Sequence, residues 1–318
     1  MKALIALLGA CLCVTAAQAQ SSYPEKPIRL VVGFAAGGYA DGVARLVALR
    51  LSERFGQPVI VENRGGAGGN VAAKVVAGAQ PDGYTLLVNT TAIAINATLY
   101  KNPGFDVYKD FVPVAITVST PGVFVVHPSN PANSLADLIR AYKGKRLTYG
   151  TAGVGSSSHL AGDYLLRSLA GLQAVHVAYK GGAPAATAGL SNEVDVLSIS
   201  MPTVLGHIKG GRLKPLAVSS LTPVAALPGV PTVAQAGFAD FEESSWVAIL
   251  APAGTEAAIA DRLNAEVNRV LADPEAQARF AGLGAEPRPM SRAQFADYLK
   301  KQVESWGQII KASGVSTD

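Results

Sequence analysis

Two stretches of this chain share one plan. Arg29-Leu-Val-Val-Gly-Phe-Ala-Ala-Gly-Gly-Tyr-Ala-Asp-Gly-Val-Ala-Arg45 reads as an apolar strand, a glycine turn and the start of a helix. Arg146-Leu-Thr-Tyr-Gly-Thr-Ala-Gly-Val-Gly-Ser-Ser-Ser-His159 reads the same way, and both begin Arg-Leu-x-x-Gly-x-Ala. A second landmark recurs at nearly the same spacing: Arg64-Gly-Gly-Ala67 follows the strand 58–62, and Lys180-Gly-Gly-Ala183 follows the strand 174–179. A helix that leaves a glycine turn presents unpaired N–H groups and the positive end of its dipole. That geometry binds small anions. Two lobes of one plan, each offering such helix starts, imply a cleft that closes on an anion. The alternative is two unrelated α/β units that share turn glycines and no ligand.

The pattern along the chain is α/β. Ile28–Val32 is a β-branched strand, and the segment from Ala40 to Phe55 is helical, ending at Gly56. The strand 59–61, a helix over 70–78 and the strand 85–88 complete a parallel βαβαβ unit. Residues 100–111 form a turn-rich connector. Two strands, 112–118 and 123–127, are expected on either side of Pro121-Gly122, where the chain first crosses between lobes. A helix follows at 134–142, with Ser134 as N-cap and Asp137 in a capping-box position. The second lobe repeats the unit: strand 147–149, helix 156–169, strand 174–178, helix 184–190 and strand 194–199. Strand 213–219 carries the chain back. Residues 228–241 read as a proline-marked loop and short helix, then 245–251 as a strand. Helices at 256–271 and 274–283, and a long one to about residue 311 opened by Ser291-Arg-Ala-Gln294, are expected to pack back on the first lobe. The resulting division is 1–19 signal, 20–119 with 221–318 first lobe, and 120–220 second lobe.

The 318 residues, 49% hydrophobic and 16% charged, suffice for two cores. Net charge is +4, but the basic residues are scattered, which argues against a nucleic-acid partner. Lys2, the apolar run from Ala3 to Val14 and Ala17-Gln18-Ala19 form a cleavable secretory signal, so a periplasmic location is expected. Leu8-Gly9-Ala10-Cys11 offers a looser lipoprotein reading. Both cysteines, Cys11 and Cys13, lie in this leader, so the mature chain has no thiolate chemistry or disulfide.

Catalytic constellations are poorly represented. There is no nucleophile elbow, Walker loop or metalloprotease motif, and Gly153-Val-Gly155 lacks the third glycine of a dinucleotide fingerprint. No cofactor is implied, and the four histidines are not spaced as metal ligands. Ser156 and His159 share a helical turn without a clear orienting acid, which leaves an exported α/β hydrolase as a weak alternative. Binding chemistry is better represented. Gly37 and Gly38 allow close backbone approach. Ser156 and Ser157 either cap their own helix or donate to a carboxylate. Asp41 suits capping its helix better than touching an anion. Phe34 and Tyr39 wall the cleft or simply pack. Arg64 and Lys180 suit solvated or paired roles better than ligand contact.

The motifs Gly37-Gly-x-x-Asp41-x-x-Ala44-Arg45, Gln57-Pro-Val-x-Val-Glu-Asn-Arg64, Gly66-Ala-Gly-Gly-Asn70, Pro81-Asp-Gly-Tyr-Thr-Leu-Leu87, Ser157-Ser-His-Leu-Ala-Gly162, Tyr179-Lys-Gly-Gly-Ala-Pro184, Leu227-Pro-Gly-Val-Pro-Thr-Val233 and Leu250-Ala-Pro-Ala-Gly-Thr255 occur in order. This chain therefore resembles the substrate-binding proteins of tripartite tricarboxylate transporters, the Bug-type family, over nearly all of its mature length. The resemblance implies a two-lobed periplasmic binding protein of type II that captures a small carboxylated solute for a membrane permease, or presents it to a sensor kinase, as a monomer. Carried over, it nominates Phe34, Ala35, Ala36, Gly37, Gly38, Tyr39, Gly155, Ser156, Ser157, Gly182 and Ala183 as contacts. Asn89, Thr90 and Ser200 join them at the ends of further strands.

The sequence departs from the family where polar partners are usual. Gly33-Phe-Ala-Ala36 replaces a proline-rich segment, Ala40 lacks a hydroxyl, Asn89-Thr-Thr-Ala-Ile93 is more apolar, Val154 stands for Asn and Ile199 for Asp. A less polar pocket is expected, suited to a monocarboxylate with an aromatic or aliphatic body.

Overall fold

The computed structural model describes residues 23–313 and 315. The expected signal and both cysteines lie outside the described residues. The elements run β1 (Ile28–Val32), α1 (Tyr39–Phe55), β2 (Val59–Asn63), a 3-10 turn (Ala67–Gly69), α2 (Asn70–Ala77), β3 (Thr85–Thr90), α3 (Ala92–Leu99) and β4 (Phe111–Val126). They continue with α4 (Leu135–Tyr142), β5 (Arg146–Thr151), α5 (Ser157–Asp163) prolonged by a wider π turn (Tyr164–Leu169), β6 (Gln173–Ala178) and α6 (Gly182–Leu190). Then come β7 (Val196–Ser200), α7 (Met201–Lys209), β8 (Lys214–Val218), β9 (Ser244–Pro252), α8 (Ala257–Ala272), α9 (Pro274–Gly282), β10 (Glu286–Pro287) and α10 (Arg292–Ser313).

The strand order exposes the repeat. One half of the sheet runs β2-β1-β3-β9-β4, with β1 parallel to β2 and β3. The other runs β6-β5-β7-β4-β8, with β5 parallel to β6 and β7. In each, an antiparallel strand closes the parallel trio: β9 beside β3, and the end of β4 beside β7. These are the two lobes of a type II periplasmic binding protein fold, and the shared Arg-Leu-x-x-Gly pattern marks the central strand of each. Each lobe has its own apolar layers. Ile28, Leu30, Val47 and Val267 lie in one core of the first lobe, and Leu138, Leu147, Tyr149 and Leu165 in one core of the second.

The structure corrects two expectations and adds two helices. Pro121-Gly122 does not split two strands, because β4 runs through it unbroken. Pro121 pairs with Ser244 and Gly122 with Ser200, so the missing proline N–H falls where β4 changes partner from β9 to β7. Residues 228–241 form turns, without the expected short helix. Two helices escaped the sequence reading. Ala92–Leu99 is apolar on almost every face, so it carries no amphipathic period. Met201–Lys209 begins directly at the end of β7, with Pro202 in its first turn.

The capping expectations hold. The Ser134 hydroxyl accepts from Asp137 N at 3.0 Å. Ser291 and Gln294 cap each other, with Gln294 Oε1 accepting from Ser291 N at 2.9 Å and Ser291 Oγ from Gln294 N at 3.3 Å. The helix they open lays Phe295 and Leu299 against the first lobe beside Trp246. It also reaches the second lobe, where Ile310 joins a cluster with Leu160.

Candidate ligand-binding site

The ends of β1, β3, β5 and β7 all open on the interlobe cleft, the position at which parallel α/β sheets bind ligands. At its inner end is a cavity of about 20 Å³, bounded by Phe34, Tyr39, Ala40, Thr90, Ala152, Ser156, Ser157, Ser158, Gly182, Ile199, Ser200, Thr203 and Ser245. Four helices, α1, α5, α6 and α7, start at this cavity. Those of α1, α6 and α7 begin at Gly38, Gly181 and Ser200 with no side chain capping them. Their first N–H groups therefore remain available to a ligand. No lysine or arginine lines the cavity, so positive potential here comes from backbone and dipoles. An outer cavity of about 210 Å³ adjoins it through the shared walls Phe34 and Ala152.

A larger cavity, about 1000 Å³, lies behind the hinge between Thr120, Glu243 and Arg288. It meets neither glycine turn. The interlobe cleft is the better ligand site because the helix starts and hydroxyls converge there.

The lobes meet closely around the cleft. Ala35 N donates to Lys180 O at 3.1 Å, and Tyr100 reaches Val154 O at 3.3 Å. Gly38 lies against the N–H groups of Gly182 and Ala183, since a Cβ there would sit 3.4 and 3.5 Å from those nitrogens. Asn96 of α3, absent from the sequence reading, packs on Gly155 while its Nδ2 donates to Gly68 O at 3.0 Å and Asn70 Oδ1 at 2.8 Å.

The nominated residues fall into three groups. Phe34, Tyr39, Thr90, Ser156, Ser157, Gly182 and Ser200 bound the inner cavity. Ala35, Gly37, Gly38 and Ala183 form the seam between lobes. Ala36 lies exposed at the rim, Gly155 is packed under Asn96, and Asn89 is buried, with its Oδ1 accepting from Thr90 N at 2.8 Å. Thr203, Ser245 and Ser158 also bound the cavity and were missed. Only Thr203 had a signal, the helix start marked by Pro202.

Local chemistry fixes these groups. Asp41 accepts from Gly37 N at 2.8 Å, Arg45 Nε at 2.9 Å and Asn63 Nδ2 at 2.9 Å, which holds the first glycine turn. Burial alone would raise its pKa, but the hydrogen bonds from Arg45, Gly37 and Asn63 outweigh it and hold the carboxyl below its ordinary value. Tyr39 donates to the carbonyls of Ser245 at 3.2 Å and Val118 at 3.4 Å, and burial and then nearby Glu243 push its pKa well up. Ser156 is the N-cap of α5: its Oγ accepts from His159 N at 3.2 Å and donates to Gly153 O at 2.7 Å.

That arrangement is unlike a hydrolase. The Ser156 proton goes to a carbonyl, and His159 Nδ1 accepts from Gly155 N at 3.4 Å while its ring stacks on His176 at 4.1 Å. Asp163 pairs with Arg167 at 2.8 Å instead of orienting His159. Burial lowers the pKa of His159 to about 4 and, with His159 beside it, that of His176 to about 3. Among the described residues no group of three or more His, Cys, Asp or Glu could hold a metal. No described helix is long and apolar enough to cross a membrane.

Comparison with known proteins agrees with this geometry. The sequence profile of the tripartite tricarboxylate transporter family receptor matches residues 43–315. A protein of Agrobacterium vitis, from the TAR-I ttuE-ttuC' intergenic region, is 38% identical over 313 residues, covering 97% of this chain and 90% of its own. An R. palustris protein solved with adipate superposes with a TM-score of 0.89 at 33% identity, over 92% of this chain and 99% of that one. MatC from Rhodopseudomonas palustris, solved with bound malate, gives a TM-score of 0.85 at 29% identity, over 91% of this chain and 100% of that one. The chain belongs to the tripartite tricarboxylate transporter receptor family of periplasmic solute-binding proteins.

Proposed function

We propose that this protein captures a small carboxylate-bearing organic solute between its lobes and delivers it to a tripartite tricarboxylate-type membrane transporter. The observation that carries the reading is the convergence of four helix starts and several hydroxyls on one cavity without a cationic side chain. Such a site holds a carboxylate by N–H and O–H donors. The adipate and malate complexes of the two structural relatives support the ligand class. The body of the solute is aliphatic or aromatic, because Phe34, Ala40, Ala152 and Ile199 supply much of the wall. The solute stabilises the closed arrangement since only there do both lobes touch it.

The test is thermal unfolding of the chain lacking residues 1–19, refolded from denaturant to strip carried-over ligand. Adipate, malate, benzoate, aspartate and citrate are compared with neutral amide analogues. At a hundred times the dissociation constant the stabilisation is about 2.7 kcal/mol. A shift with an acid and none with its amide supports the reading. Equal shifts with both, or none with any acid, refute it. Pull-down of permease subunits by the loaded protein, and not the empty one, tests delivery.

A further inference from the structure

Glu243 is 5% exposed and lies where the segments joining the lobes meet. Gly122, in the outgoing strand, donates its N–H to Ser219 Oγ at 2.6 Å and Glu243 Oε2 at 3.1 Å. Glu243 N donates to Ser219 O at 3.0 Å. A Cβ at Gly122 would stand 2.5 Å from Glu243 Oε2, so a side chain there would push the carboxyl from this position. The Ser157 hydroxyl lies beside the same carboxyl and favours its ionised form, while Ser157 also bounds the ligand cavity.

The charge balance of this cluster is unusual. A buried carboxylate is stable when it faces a cation or accepts several N–H donors. Glu243 has one N–H donor, shared with Ser219, and among the described residues it has no cationic partner. Tyr39 faces it from α1; Asp240 and Glu242 precede it, and Tyr164 bounds the groove on that side. Glu286 and Arg288 line the hinge cavity with it, and the Gly122 and Ser219 segments bring no titratable group. Ser219 has a single hydroxyl proton and three acceptors in range: Glu243 O at 2.7 Å, Glu243 Oε2 at 3.0 Å and Gly122 O at 3.2 Å. The Ser157 hydroxyl is the further donor beside an ionised Glu243. Ser156 cannot replace it towards a ligand, because its own proton goes to Gly153 O.

We propose that anion capture in the cleft takes up one proton onto Glu243, which then acts through Ser157 as a positioning residue. This rests on the carboxylate reading above. In the empty cleft the Ser157 O–H donates to the Glu243 carboxylate. On binding, a proton from the solvent forms an O–H bond on Glu243, which donates to Ser157 Oγ. The Ser157 proton turns to the ligand oxygen. One carboxylate and one proton enter together, so the site never buries two unbalanced negative charges. Burial raises the pKa of Glu243 in the direction this requires.

Isothermal titration calorimetry with adipate, malate and benzoate, in phosphate and in Tris between pH 6.0 and 8.5, tests the coupling. The expected result is uptake approaching one proton per ligand, with affinity falling by up to about tenfold per pH unit as pH rises. Glu243→Gln keeps a donor towards Ser157, so it binds with affinity independent of pH and takes up no proton. Binding without proton uptake in either buffer, or a pH slope retained in Glu243→Gln, overturns the proposal. If the variant does not fold, the wild-type proton count alone decides. If none of the three acids binds at any pH, the carboxylate reading falls and this proposal with it.

Discussion

Ala35 N donates to Lys180 O at 3.1 Å, tying the loop after β1 to the loop before α6 across the cleft. Both strands beneath these loops begin regular runs, and both loops are rich in glycine. The contact is backbone to backbone, so it depends on the absence of side chains around it.

Gly65 is the sharpest test of that dependence. A Cβ there would stand 2.8 Å from Lys180 O and 3.1 Å from Ala35 N. Gly65→Ala is expected to leave each lobe folded and to hold the lobes apart. Affinity for a carboxylate should fall by at least about tenfold, because the competent closed state becomes rare. Small-angle scattering with saturating ligand checks it: wild-type-like compaction in the variant would refute the expectation.

Thr203 separates ligand contact from stability. Its Oγ1 is buried without a partner and faces the inner cavity. Thr203→Val removes that orphan and keeps the shape, so the ligand-free melting temperature should hold or rise. Binding should weaken by about fivefold to tenfold, the worth of one hydrogen bond of about 1 kcal/mol. Unchanged affinity would show that the hydroxyl does not touch the solute.

Asp41 holds the first glycine turn from below. Asp41→Ala removes its bonds to Gly37, Arg45 and Asn63 and is expected to cost about 2–3 kcal/mol, read by urea unfolding. Because its folded pKa is depressed, the stability it contributes is present above its ordinary value and is lost as pH falls through the folded one. A variant as stable as the wild type at pH 7 would contradict this role.

The stacked pair His159 and His176 predicts an acid limit for the fold. Both are held neutral, with pKa values of about 4 and about 3, against 6.5 for the free side chain. The unfolded chain binds protons first, so stability is full above pH 6.5 and declines as pH falls towards 4. For His159 the loss is on the order of 3 kcal/mol. Denaturant titrations at pH 7.5 and 4.5 should differ accordingly, and His159→Gln should shrink the difference to what buried His176 contributes. Equal midpoints in the wild type would refute it.

Local and periodic information was legible from the residues alone. Arg29-Leu and Arg146-Leu opened the central strands of both lobes because β-branched runs and turn glycines act over a few residues. Ser134, Ser156, Gly56 and the Ser291–Gln294 pair marked helix ends for the same reason: a cap is satisfied by atoms within one turn. The helix Ala92–Leu99 was hidden because burial on almost every face erases the amphipathic signal, and Met201–Lys209 because no loop separates it from β7.

Local pattern in the residues was enough to set the two-lobed α/β plan, its glycine turns and the helix starts they release. Which of those starts share a cavity was settled by long-range packing. It alone seated Thr203 and Ser245 there, packed Asn96 on Gly155 and buried Glu243 behind Ser157. These are contacts between segments far apart in the chain, and no local pattern records them. Their energies depend on burial and on donor counts, which exist only once the lobes have folded and met.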